Sequence, residues 1–320
     1  MTENYSVLEP FDYLADIQSE SSTAKKRVWT QSMCFEPGKV TNAISDVLIT
    51  AAGKGLDVRL RTDWFNIPKA NGEQKEEIYS RLRQNGVDVL ITNPPSILDR
   101  FFPYHGRNHI KMTIIDNIAY IGGVNYSDQS FEFNDFMVKI TDKAIVDVLV
   151  DVYMDDDKQS DKLIKIDDTT TVMVDSGKKP KSIIFDTTIQ AVADAKSSIY
   201  FISQLIPDGK FLNALFNAYR DKKDVIVIAP KNNSFSHMFS LLNKINRFAM
   251  NIKKHYLPII FLDKMLHAKL TIIDKHLVVF GSHNMSQKGV RMKTTEIAIM
   301  STNSKLVNNL CEYFDKLKQP

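Results

Sequence analysis

The chain has 320 residues, more than one compact core usually holds, so two domains of about 150 residues are expected. Hydrophobic residues make up 43% and charged residues 25%, which excludes a disordered or fibrous chain. The net charge of +3 is too small to announce a nucleic-acid or membrane partner. Two cysteines, Cys34 and Cys311, are too few for a disulfide framework, and they read as buried thiols in a reducing compartment.

The stretch Met1 to Asp16 is polar and acidic, so no secretory signal is expected. The run Arg27 to Phe35 reads as a strand. Val40 to Ala52 reads as a helix with Ile44, Val47 and Leu48 on one face, and the alternation of Leu56 to Arg61 as a strand. A charged helix, Glu73 to Gln84, stops at Gly86, and Val87 to Thr92 is another strand. Asp151 to Asp168, with seven Asp and three Lys, is the expected linker, followed by Val172 to Lys181 with Gly177 and Pro180. The second half repeats the first: strand Ser198 to Ile206, helix Lys210 to Arg220, strand Asp224 to Ala229, helix Ser234 to Lys253, strand Pro258 to Leu262. This alternation argues for a duplicated pair of α/β domains, residues 1–170 and 171–320, related by a pseudo-twofold axis.

Each half then delivers one motif. The first has His109-Ile-Lys111, Asp116, Gly122-Gly123 and Asn125; the second has His267-Ala-Lys269, Asp274, Gly281-Ser282 and Asn284. A single His-x-Lys-x4-Asp is a weak signal, whereas two in matching context are a strong one. On a strand, His and Lys two apart point to the same face and can converge on one phosphate. Asp116 and Asp274 fall on the other parity, inside a turn, and read as structural anchors that accept backbone hydrogens. Gly123, Ser282, Asn125 and Asn284 are candidate substrate-binding positions, the last three as donors to phosphate oxygens.

Two such half-sites facing each other supply two histidines, two lysines and two amides, enough for phosphoryl chemistry without a metal or cofactor. One neutral histidine attacks phosphorus; the other protonates the leaving oxygen and then activates the incoming alcohol or water. Lysines and amides stabilise the charged oxygens. No Asp/Glu cluster or Cys/His set suggests a metal site. Each histidine needs an acid to fix its tautomer. Asp135 follows the first motif and Glu296 the second at similar distance, each beside a β-like run, and these are the expected orienting acids.

At these residues the chain resembles the phospholipase D superfamily, from about Phe11 to about Asp315. The resemblance implies two α/β/α sandwich domains with the active site at their interface, and a phosphohistidine mechanism with His109 as nucleophile and His267 as acid. Within the superfamily the chain is most similar to cardiolipin-synthase-like proteins. Arg107-Asn-His-Ile-Lys111 resembles their Arg-Asn-His-Arg-Lys segment, Gly122-Gly-Val-Asn125 their Gly-Gly-x-Asn, and Gly55-Leu-Asp-Val-Arg59 their Gly-Val-Glu-Val-Arg. Departures are Ile110 in place of Arg and Phe133-Asn-Asp135 in place of Trp-Arg-Asp.

The expected function is phosphatidyl transfer or phospholipid hydrolysis, with phospholipid at a membrane surface as partner. The alternative is a nuclease or other phosphodiesterase acting on nucleic acid, and a third reading is a non-catalytic lipid- or phosphate-binding protein. No apolar stretch approaches the roughly 20 residues needed to span a bilayer. The expectation is a cytoplasmic protein, peripheral at the inner face of the membrane, and a monomer because one chain holds both half-sites. Helix 234–253 and the Phe101-Phe-Pro-Tyr104 segment read as packed elements rather than lipid contacts. His105, His237, His255, His276 and His283 read as surface or packing residues; His283, beside Asn284, is the one to follow.

Overall fold

The computed structural model describes residues 4–64, 72–93, 105–155, 160–205, 207–231 and 257–319. The 101–104 segment and the expected helix 234–253 lie outside these residues.

Two sheets carry the fold. The first contains β1 (Tyr5–Leu8), β2 (Arg27–Ser32), β3 (Asp57–Asp63), β4 (Asp88–Thr92), β5 (Met112–Ile115), β6 (Ile118–Gly122) and β7 (Met137–Ile140), in the order β1-β7-β6-β5-β2-β3-β4. The second contains β8 (Lys162–Lys165), β9 (Thr170–Asp175), β10 (Ser198–Ile202), β11 (Asp224–Pro230), β12 (Ile259–Leu262), β13 (Leu270–Ile273), β14 (Leu277–Gly281) and β15 (Glu296–Ser301), in the order β12-β11-β10-β13-β14-β15-β9-β8. Started from β4 and from β12, the two orders match strand for strand, with β8 added at one edge. Strands β2, β3 and β4 run parallel, as do β10, β11 and β12. The motif hairpins β5–β6 and β13–β14 are antiparallel.

Parallel neighbours need crossover segments, and the helical periodicity supplies them. α1 (Pro10–Thr23) precedes β2; it opens on Pro10 and buries Tyr13, Ile17 and Ser21 at four-residue spacing. α2 (Lys39–Gly53) links β2 to β3 and buries Val40, Ile44 and Leu48. α3 (Gly72–Gln84) links β3 to β4. The short α4 (Asp128–Phe131) follows β6. α5 (Lys143–Met154) follows β7, and its first turn is capped by Asp142, which accepts from the Ala144 and Ile145 amides. In the second half α6 (Ile183–Asp194), α7 (Gly209–Arg220), the short α8 (Gln287–Arg291) and α9 (Ser304–Lys318) follow β9, β10, β14 and β15.

The expected linker is shorter than its composition implied. α5 continues to Met154, and β8 pairs antiparallel with β9. Its Lys-Leu-Ile-Lys sequence suits an edge strand, where lysine discourages further pairing. β1 and α1 were not expected either, because the polar N-terminal stretch hides four strand residues and one helix face. Cys34 and Cys311 are free and only half-buried, not the buried thiols expected.

The main core lies between the sheets. Ile110, Met112 and Ile114 of the first half meet Leu266, Ala268 and Leu270 of the second, together with α5 and α9. α9 binds both halves: the Tyr313 ring lies 4.8 Å from Phe136, Phe314 stacks on Tyr200 at 4.9 Å, and Asn309 Nδ2 donates to the Tyr5 carbonyl at 3.2 Å. The outer faces pack separately, the first sheet under α1, α2 and α3 and the second under α6 and α7. Each sheet is therefore enclosed by helices on both faces, and the two motif hairpins are brought to one interface.

Candidate active site at the junction of the two halves

Both His-x-Lys segments sit just before β5 and β13, not on the strands as expected. The reason is a change of partner. The His109 amide donates to the Thr295 carbonyl at 2.9 Å, and the Thr295 amide returns a bond to Arg107 at 2.8 Å. The His267 amide donates to the Asn134 carbonyl at 2.9 Å, and the Asn134 amide returns a bond to Met265 at 2.8 Å. Each histidine segment thus leaves its own sheet and makes a two-bond parallel bridge to the other half.

The bridges fix the pairing of side chains. Thr295 precedes Glu296 and Asn134 precedes Asp135, so each histidine is set beside the acid of the opposite half. His109 Nδ1 lies 2.9 Å from Glu296 Oε2, and His267 Nδ1 lies 2.6 Å from Asp135 Oδ2. A carboxylate at Nδ1 holds the proton there and leaves the Nε2 lone pair for chemistry. All four side chains are buried. Burial lowers both imidazoles to a pKa of about 4, outweighing the attraction of the acids, with nearby lysine charge in the same direction. Both rings are therefore neutral at pH 7. Burial pushes Glu296 up, but His109, His283 and Lys111 beside it hold it below the usual carboxylate range.

The lysines complete the centre. Lys111 Nζ donates to the His109 carbonyl at 2.7 Å, and Lys269 Nζ donates to the His267 carbonyl. Lys269 Nζ also lies 3.0 Å from the His267 ring nitrogens. Burial lowers Lys111 to about 8 and Lys269 to about 7, with the acids Glu296 and Asp135 opposing. The arrangement holds two unprotonated nitrogens and two poised ammonium groups, the set that an anionic phosphodiester would meet.

Two predicted substrate-binding positions lie elsewhere. Ser282 is fully buried and its hydroxyl donates to Glu296 Oε2 at 2.5 Å, so it stands behind the histidine rather than on a ligand. Gly123 faces the Asp135 carboxylate, which fills the space a side chain would need. Asn125 is buried with its Oδ1 3.4 Å from Ser32 Oγ; Asn284 is half-buried, and its Oδ1 has no partner among the described residues.

Asp116 and Asp274 are at the far ends of β5 and β13. Asp116 accepts from the Lys25, Lys26 and Arg27 amides at 2.7–3.0 Å. Asp274 accepts from the Lys196, Ser197 and Ser198 amides at 2.7–2.9 Å and from the Ser197 hydroxyl. They tie each motif hairpin to the start of the neighbouring strand, β2 or β10. Both residues have positive φ, 48° and 54°, which an aspartate in a tight turn tolerates.

Several supporting residues escaped the sequence reading. Asp63 Oδ2 accepts from the Asn108 amide at 2.7 Å and from Asn93 Nδ2 at 2.6 Å, and its other oxygen faces Arg107 at 3.4 Å. Gln31 Nε2 donates to Asn108 Oδ1 at 2.8 Å. This brace holds the residue before His109; the register places Pro230 where the second half would need the equivalent acid. The Arg107-Asn108 pair beside the motif was the available signal. Thr294 donates to Glu296 Oε1 at 2.9 Å. His283, at the position of Val124, accepts the Met285 amide on Nδ1 at 3.0 Å and faces Ser182 Oγ at 3.4 Å.

Comparison with known proteins places this geometry. Residues 17–158 and 188–318 match the family described as Cardiolipin synthase, PLD-like domain. The chain belongs to this PLD-like family. A cardiolipin synthase of Listeria welshimeri is 27% identical over 96% of this chain and 66% of its own length. The major cardiolipin synthase of Bacillus subtilis is 22% identical over 88% of this chain and 62% of its own length. The chain thus spans less than two thirds of the length of these curated relatives. Among solved structures, phosphatidylserine synthase from Haemophilus influenzae Rd KW20 superposes with a TM-score of 0.78 at 14% identity, covering 99% of this chain and 86% of that one. The PLD-like fold, two similar α/β/α units meeting at the motif hairpins, is therefore that of the chain. Among the described residues no helix is long and apolar enough to cross a membrane.

Proposed function

We propose that the protein is a phosphatidyltransferase of the phospholipase D type, acting on phospholipid headgroups through a phosphohistidine. The carrying observation is the crossed pair of buried histidine–carboxylate contacts, which gives one site two imidazoles with their Nε2 atoms unprotonated. The cardiolipin synthase relatives support phospholipid as the substrate class.

His109 Nε2 attacks phosphorus and forms the P–N bond while the bond to the leaving oxygen breaks. His267 delivers a proton to that oxygen. It acquires this proton when the anionic phosphodiester enters, because nearby negative charge raises the proton affinity of a buried imidazole. Neutral His267 then removes the proton from the incoming alcohol, whose oxygen attacks phosphorus and expels His109. Asp135 and Glu296 keep each ring in one tautomer and stabilise its cation. Lys111, Lys269, Asn125 and Asn284 bind the phosphoryl oxygens. Residues 1–170 and 171–320 act as the two halves, with the strand at Lys162–Lys165 paired to the second, and one chain suffices for one site. The protein works peripherally at the cytoplasmic face of a membrane.

The test offers purified protein vesicles of phosphatidylglycerol and, in parallel, single-stranded DNA, with His109→Ala as control. Transfer on vesicles, abolished in His109→Ala, is expected. Turnover of DNA alone would overturn the lipid reading, and full activity in His109→Ala would overturn the mechanism.

A further inference from the structure

The two half-sites use different acids, and the difference extends one residue deeper. Gly123 and Ser282 occupy equivalent positions. Each follows the glycine that ends β6 or β14, and each donates its amide to the carbonyl just after the acid, Gly123 to Phe136 at 3.1 Å and Ser282 to Ile297 at 2.9 Å. In the first half, a Cβ at Gly123 would stand 2.3 Å from Asp135 Oδ1 and 2.7 Å from Oδ2. That carboxylate cannot simply turn aside, because one oxygen holds His267 and the other accepts the Phe136 amide at 2.9 Å. In the second half the same volume holds the Ser282 side chain. Glutamate has one methylene more than aspartate, so its carboxylate passes that side chain, takes the hydroxyl bond at 2.5 Å, and still meets His109 at 2.9 Å.

We propose that Gly123 and Ser282 are positioning residues, each matched in size to the acid it faces: no side chain with the short Asp135, and a hydroxymethyl group with the long Glu296. The pairs Gly123–Asp135 and Ser282–Glu296 are alternative solutions to one problem, the delivery of a carboxylate oxygen to Nδ1 of the opposite histidine. A mismatched pair misplaces the acid, and a whole pair can be exchanged. The proposal rests on the reading of both histidines as the reacting groups.

The matching is tested by a double-mutant cycle on the full chain. Glu296→Asp alone places a short acid against the Ser282 side chain, and Ser282→Gly alone removes the hydroxyl that holds Glu296. Each is expected to lower the transfer rate about tenfold or more. The double variant Ser282→Gly/Glu296→Asp recreates the first half's pair and is expected to recover most of the Glu296→Asp loss. Gly123→Ser and Gly123→Ser/Asp135→Glu form the converse cycle. Losses that simply multiply, with no recovery in either double variant, would overturn the proposal.

A second readout does not need turnover. An Nδ1–H proton held by a buried carboxylate gives a far-downfield proton resonance, assignable by His109→Ala and His267→Ala. The His109 resonance is expected to weaken or shift in Glu296→Asp and to return in the double variant. If no phosphodiester is turned over by the wild-type protein, the functional reading fails while this resonance still decides the matching. Should Gly123→Ser not fold, the Ser282 cycle alone decides it.

Discussion

The two halves share strand order, hairpin anchors and motif placement, yet they support their histidines differently. The first half braces the approach to His109 with Asp63, Asn93 and Gln31, all acting on Asn108 or its neighbours. The second half puts no such acid at Pro230, and it surrounds Glu296, the acid it lends to His109, with Ser282, Thr294 and the buried His283, so both sets of supports converge on His109. Duplicated backbone geometry therefore secures where the two imidazoles stand. The side chains behind them are free to differ, and these make one acid–imidazole pair chemically distinct from the other. Such a difference suits two rings with two tasks, one forming a bond to phosphorus and one moving a proton.

The largest expected effect comes from breaking the two pairs in turn. Asp135→Asn and Glu296→Gln should each lower the transfer rate by about 10²- to 10⁴-fold, the range of acid–base contributions. They should differ with the leaving group. A substrate with a nitrophenolate leaving group needs no proton, so with His267 as the proposed acid it should recover much of the Asp135→Asn loss and little of the Glu296→Gln loss. Equal recovery in both would erase the assignment of tasks.

An intermediate effect is expected from pH. The reacting form has His109 unprotonated and His267 protonated, so kcat/KM should fall through His109 as pH drops below about 4 and decline through His267 as pH rises above it. The ammonium groups must be charged, so it should also fall as pH rises through about 7 for Lys269 and about 8 for Lys111. A Lys111→Arg variant that keeps its charge should lose only the limb at about 8, read from the kcat/KM profile.

The smallest effect concerns the hairpin anchors. Asp274→Asn should destabilise the fold by about 1–2 kcal/mol in denaturant titration, with Asp116→Asn at or below that, since Asp274 has the extra hydroxyl donor. Burial alone would raise the Asp274 pKa, but its three backbone donors and the Ser197 hydroxyl together bring it down to about 2 from 3.8. A depressed carboxylate contributes stability that is complete above its unfolded value and is lost as pH falls through its folded one. The gap between Asp274→Asn and wild type should therefore close between pH 3.8 and about 2.

Much of this was legible in the sequence. The repeat of strands and helices gave the two sheets, and the doubled motif brought out His109, Lys111, His267 and Lys269. Asp135 and Glu296 were visible as acids at matching places. Their crossing was not visible, because it depends on two-bond bridges between segments far apart in the chain, which leave no periodic trace. The same holds for Asp63: it ends a regular strand, and only the fold brings it under Asn108. Ser282 was misread as a phosphate donor because its hydroxyl was counted before its burial could be seen. The N-terminal strand and helix were missed because tertiary pairing with β7, rather than local propensity, makes Tyr5–Leu8 a strand.

The crossing also bears on the birth of the molecule. During synthesis the N-terminal half emerges first, carrying His109 without Glu296 and Asp135 without His267. The one motif imidazole then present has no carboxylate from the other half to hold its tautomer. α9 follows both motifs in the chain and packs on Tyr5, Phe136 and Tyr200, so the contacts by which it ties the halves together can form only after both histidines and both acids have been made.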